Sequence, residues 1–92
     1  MKRYVIEREI PNIGDFDREQ FCHAAAMSNA ALDQLGGKVQ WVHSYVVQNK
    51  TFCIYLSPDE ALVHEHARLS GFPVTRITEA TAVIDPTTAR AA

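Results

Sequence analysis

An α+β fold of ferredoxin-like βαββαβ topology, with two helices on one face of an antiparallel sheet and a second copy against the other, is predicted by three observations. The period of apolar residues switches in the order 2, 3.6, 2, 2, 3.6, 2 along the chain. Helix-start signals stand at Asp17 and at Ser57-Pro58-Asp59-Glu60. Two β-rich stretches flank the polar turn Gln48-Asn49-Lys50. Two βαβ-sized units around a hairpin are the element order of the split βαβ fold.

The first strand reads from Tyr4 to Ile10, with Tyr4, Ile6 and Ile10 on one face and Val5, Glu7 and Glu9 on the other. Pro11 and Gly14 close it. Asp17 and Gln20 have the spacing of a capping box and open a helix that runs to about Leu35, where Gly36-Gly37 supplies a left-handed stop. Its buried stripe is expected at Phe21, Ala24 or Ala25, Ser28, Leu32 and Leu35. A hairpin follows, from Val39 to Val47 and from Thr51 to Leu56. The second helix takes Ser57 as N-cap, Pro58 as its first residue and Glu60 as its third, and ends before Gly71. The last strand spans Val74 to Ile84 and stops at Asp85-Pro86. Residues 1–86 are thus read as a single domain and residues 87–92 as a flexible C-terminal tail.

The chain has 92 residues, enough for one core and no more. Nine basic against eleven acidic residues give a formal charge of −2 without a run of like charges, so neither nucleic acid nor a membrane surface is an expected partner. The apolar start is broken by Glu7, Arg8 and Glu9, which removes a signal-peptide core. Two cysteines, Cys22 and Cys53, form no disulfide framework and suit a reducing, cytoplasmic setting.

Hairpin register sorts the functional candidates, because a slip of one residue moves every side chain to the other face. A three-residue loop, Gln48 to Lys50, sets Tyr45 opposite Cys53 and His43 opposite Tyr55. It places Val42, Val46, Phe52, Ile54 and Leu56 under the helices, and turns Trp41, His43, Tyr45, Cys53 and Tyr55 away from them. A two-residue turn would instead group His43 with Phe52 and Ile54. The three-residue loop is preferred because it separates aliphatic from polar-aromatic side chains.

An uncovered face bearing Trp41, Tyr45 and Tyr55 predicts a homodimer, since small monomers seldom expose such a patch. Two sheets face to face would enclose a cavity lined also by Glu7, His43 and Cys53. Taken singly, the aromatic residues read as interface packing. Together with Glu7, His43 and Cys53, they read as a pocket for a metal ion or a small molecule, with Trp41, Tyr45 and Tyr55 as contacts to the bound group. A mixed Glu, His and Cys set suits a divalent transition metal such as nickel, zinc or copper rather than magnesium or calcium.

The remaining candidates are weaker. His64 and His66 are two apart on a helix, about 200° around the axis, so at most one can ligate; His66, one turn after Leu62, is that one. Cys22 is expected to be a structural hydrophobe and His23 a surface residue. A Cys53 nucleophile with His43 as base lacks a nucleophile elbow and a glycine-rich oxyanion loop, and no catalytic residue is assigned.

The segments Tyr4-Val5-Ile6-Glu7-Arg8, Val39 to Val46, Lys50 to Tyr55, Ser57-Pro58-Asp59-Glu60 and Glu65-His66-Ala67 together resemble a bacterial family of small ferredoxin-like nickel-binding proteins, long described as a domain of unknown function. The resemblance covers the chain to about Pro86 and implies a dimer with a nickel role. The first reading is a cytoplasmic homodimer binding nickel or another divalent metal through Glu7, His43, Cys53 and His66. The alternative is a cofactor-free dimeric α+β barrel enzyme acting on a small organic molecule, with Glu7 or His43 as general base.

Overall fold

A computed structural model describes residues 1–90. Four strands, β1 (Lys2–Glu9), β2 (Gln40–Val46), β3 (Lys50–Ser57) and β4 (Arg76–Ala80), form one antiparallel sheet in the order β2-β3-β1-β4. Helices α1 (Arg18–Gln34) and α2 (Glu60–Ser70) pack on each other and on one face of the sheet. This is the ferredoxin-like arrangement, with β1 and β3 central. The last strand is shorter than the alternation of Val74 to Ile84 predicts, because pairing to β1 ends at Ala80 opposite Arg3. Among the described residues no helix is long and apolar enough to cross a membrane.

Local chemistry accounts for the helix ends. The Asp17 carboxylate accepts from the Gln20 amide at 2.8 Å while the Gln20 side chain accepts from the Asp17 amide at 2.9 Å, the predicted capping box. Gly36 and Gly37 follow α1 with φ of 63° and 81°, a region that a Cβ disfavours. For α2 the cap lies two residues later than predicted. Asp59 caps through the Leu62 amide, while the Ser57 hydroxyl donates to the Asp59 carbonyl and braces the turn before it.

The hairpin departs from the expected register. Val47 and Lys50 close a two-residue turn over Gln48-Asn49, so Tyr45 opposes Phe52 and His43 opposes Ile54. An extra residue, Val42, bulges between Trp41 and His43, and Trp41 opposes Tyr55. On β3, Thr51, Cys53, Tyr55 and Ser57 are buried against the helices, whereas Phe52, Ile54 and Leu56 face the uncovered side and are half-buried. Trp41, Cys53 and Tyr55 thus lie under the helices, opposite to the prediction; His43 and Tyr45 face outward as expected. The hairpin tip is held from outside: Ile10 and Gly14 amides donate to the carbonyls of Asn49 and Gln48, each at 3.0 Å.

The core gathers Tyr4, Ile6, Val39, Cys53, Tyr55 and Val63, with Leu32, Leu35 and Ile77 packed around it. Full burial of Ile6 or Val63 contributes about 1.5–3 kcal/mol each. Ser28 and Ala31 are the buried positions of α1, and the predicted Phe21, Ala24, Leu32 and Leu35 flank them half-buried. Pro86–Arg90 forms a short 3-10 helix where the domain read over residues 1–86 meets the tail read over 87–92; residues 91–92 lie outside the described residues.

Candidate functional site

Beneath the helices, polar groups cluster where an apolar core is the norm. Arg8 follows Tyr4 and Ile6 in phase on β1, so the strand carries its side chain inward, where it is 2% exposed. Its Nη1 donates to the Pro73 carbonyl at 2.9 Å, and the guanidinium lies near the rings of Tyr55 and Phe72. Among the described residues Nη2 has no hydrogen-bond partner and no carboxylate pairs with Arg8. A buried guanidinium without a counter-charge is costly.

Beside it, the Ser28 hydroxyl joins the two helices to the sheet, lying 3.2 Å from the Tyr55 hydroxyl and 3.1 Å from His66 Nε2. Burial pushes the Tyr55 hydroxyl above the ordinary tyrosine pKa, against the lowering effect of the Ser28 bond and the Arg8 charge. Burial, and next the Arg8 charge, bring His66 down to about 4. Both groups are therefore neutral near pH 7. A cavity of about 230 Å³ opens between α1 and the sheet, with Arg8, Ser28, Trp41, Cys53 and Tyr55 in its walls. It lies on the helix side of the sheet and is a different space from the one expected between the sheets of two facing copies.

The uncovered face carries the other candidates. Glu7 opposes Phe52, with Lys50 3.9 Å away and Arg76 as its neighbour on β4. On β2, His43 Nε2 lies 3.1 Å from the Tyr45 hydroxyl, and Tyr45 is 59% exposed. Strand β3 separates Glu7 from His43, two inter-strand spacings or about 10 Å between their strands.

The four predicted ligands thus divide by face: Glu7 and His43 on the uncovered side, Cys53 and His66 on the helix side. Among the described residues no three His, Cys, Asp or Glu side chains converge on a metal-sized space. The aromatic trio also splits, with Trp41 stacked on Tyr55 under the helices and Tyr45 outside. Cys22 is exposed rather than buried, His64 is exposed beside Glu60, and His23 is exposed as expected.

Arg8 and Ser28 are site residues beyond those that the sequence suggested. The signal for Arg8 was present: it stands between Ile6 and Ile10 on the inward phase, where a charged residue is out of place. Ser28 falls in the expected buried stripe of α1, but its partners carry no sequence signal, since they come from β3 and α2.

A family model described as nickel responsive protein SCO4226-like matches residues 4–80. The crystal structure of SCO4226 from Streptomyces coelicolor A3(2) superposes with a TM-score of 0.73 at 13% identity, over 89% of this chain and 99% of that one. At that identity the superposition speaks for the fold. No curated protein is significantly similar to the chain.

Proposed function

The chain belongs to the nickel responsive SCO4226-like family, and from that premise we propose that it is a cytoplasmic homodimer binding nickel or another divalent transition metal between two uncovered sheet faces. The observation that carries this reading is the family match over residues 4–80. A metal-related role follows from the family; the ion, the partner and the ligands are our inference.

Geometry bears on where the ion would sit. Among the described residues of one chain no three His, Cys, Asp or Glu side chains come together, so a site shared by two copies suits a metal better. Glu7 and His43 project from the uncovered face, and a facing copy would supply each a second time. Lys50 and Arg76 flank Glu7, so an incoming cation must displace Lys50 from that carboxylate. Cys53 and His66 lie behind the sheet and stay out of the set.

A second copy is supported by the distribution of apolar residues. Val5, Phe52, Ile54 and Leu56 line the uncovered face beside Tyr45, and Val83 and Ile84 extend exposed past β4. Such surface is normally an interface. Two free cysteines, one of them exposed, suit a reducing compartment.

Calorimetry of tag-free protein with Ni(II) tests the reading. Saturable binding is expected, weakening on acidification because protonated imidazole cannot ligate. His43→Ala and Glu7→Gln should each weaken it at least 10-fold, and Cys53→Ser should leave it unchanged. Loss in Cys53→Ser alone would move the site behind the sheet; absence of any saturable metal binding would remove the metal reading.

A further inference from the structure

We propose that the cavity between α1 and the sheet is a binding site for a small monocarboxylate with an apolar body, its carboxylate paired with the guanidinium of Arg8. The inference is independent of the metal reading, since the two sites lie on opposite faces of the sheet.

The positive charge is the first reason. Arg8 is 2% exposed, lines the cavity, and has an Nη2 without a partner among the described residues. Guanidinium stays charged in proteins, and its planar fork matches a carboxylate with two parallel hydrogen bonds. Ion pairs elsewhere in the chain are peripheral: Lys2 with Glu79, Lys50 with Glu7, His64 with Glu60 and Arg68 with Glu65. An anion from solution would supply what the fold withholds.

The remaining walls select the rest of the ligand. Most of the lining is apolar, including Ile13, Phe21, Ala24 and Trp41, while Ser28, Thr51 and Tyr55 contribute hydroxyls. His66 is neutral near pH 7 and adds no second positive charge, so the site balances one negative charge rather than the two of a phosphate. A cavity of about 230 Å³ holds a body of benzoate or hexanoate size and falls below the usual range of about 300–1,000 Å³ for drug-sized ligands. Val46 lines the cavity and is 42% exposed, which puts the mouth at the end of β2.

Trp41, the single tryptophan, stands in the wall and reports occupancy. Tag-free protein is titrated with benzoate and hexanoate and with their neutral amides, following Trp41 emission and calorimetric heat. Saturable binding of an acid at least 10-fold tighter than its amide is expected. Arg8→Gln should abolish that preference while circular dichroism shows the fold retained. Should Arg8→Gln fail to fold, Ala24→Leu, which fills the cavity from α1, must block the acid in a folded protein. Equal affinity for acid and amide, no saturation by either acid at tens of millimolar, or undiminished binding in Ala24→Leu would overturn the proposal.

Discussion

Glu7 and Cys53 stand on opposite faces of the sheet: Glu7 opposes Phe52 on the uncovered side, while Cys53 opposes Ile6 beneath the helices. A one-residue offset between central strands therefore separates carboxylate from thiol. It divides the chain's chemistry into an outer face with Glu7, His43 and Tyr45 and an inner cluster with Arg8, Ser28, Tyr55 and His66.

The inner cluster makes stability depend on pH. His66 is held at about 4, mainly by burial and next by the Arg8 charge, whereas an unfolded histidine titrates near 6.5. Between those values the unfolded chain binds a proton that the folded one refuses, so this contribution is fully present above about pH 6.5 and is lost as pH falls toward 4. The shift corresponds to about 3 kcal/mol. Urea midpoints should fall between pH 7 and 4.5, and an NMR titration should keep the His66 ring neutral down to near pH 4. A ring titrating near 6.5 would contradict the burial argument.

On the outer face, Ile54 lies between Val5 on β1 and His43 on β2, at the middle of the apolar surface. Ile54→Asp should leave the monomer folded, because the side chain is only half-buried in one chain. Association should weaken by 100-fold or more, since a carboxylate would lose water without a partner. Light scattering across a dilution series reads this directly. Wild-type protein that stays monomeric at high concentration would reject the dimer.

Gly14 is required by close approach. A Cβ there would meet Gln48 Oε1 at 2.7 Å and Gln48 Cα at 2.8 Å. The oxygen can swing away, but the backbone atom moves only with the hairpin tip, which Gly14 itself binds through the Gln48 carbonyl. Gly14→Ala should destabilise by about 1–3 kcal/mol, as overpacking does. An unchanged urea midpoint would show that the tip is not held in place by this contact.

What could be read from the sequence is what local chemistry decides. The Asp17–Gln20 capping box, the glycine stop after α1, the presence of a hairpin and the order of elements are signalled by residues within a few positions of one another, and these folded as expected. The facing of the hairpin was not local. Alternation on β3 offers two sets, Thr51-Cys53-Tyr55-Ser57 and Phe52-Ile54-Leu56, and hydrophobicity alone assigns the second to the core. The tertiary structure reverses this. On the helices, Ser28 meets the Tyr55 hydroxyl and His66 meets Ser28, so Tyr55 finds polar partners on the helix side of the sheet. The turn is also held from outside by Ile10 and Gly14, and the Val42 bulge shifts Trp41 into phase with Tyr55. Contacts across such sequence distances carry no periodic signature, so the sequence could determine the elements and their order, while only packing decided which face each side chain occupies.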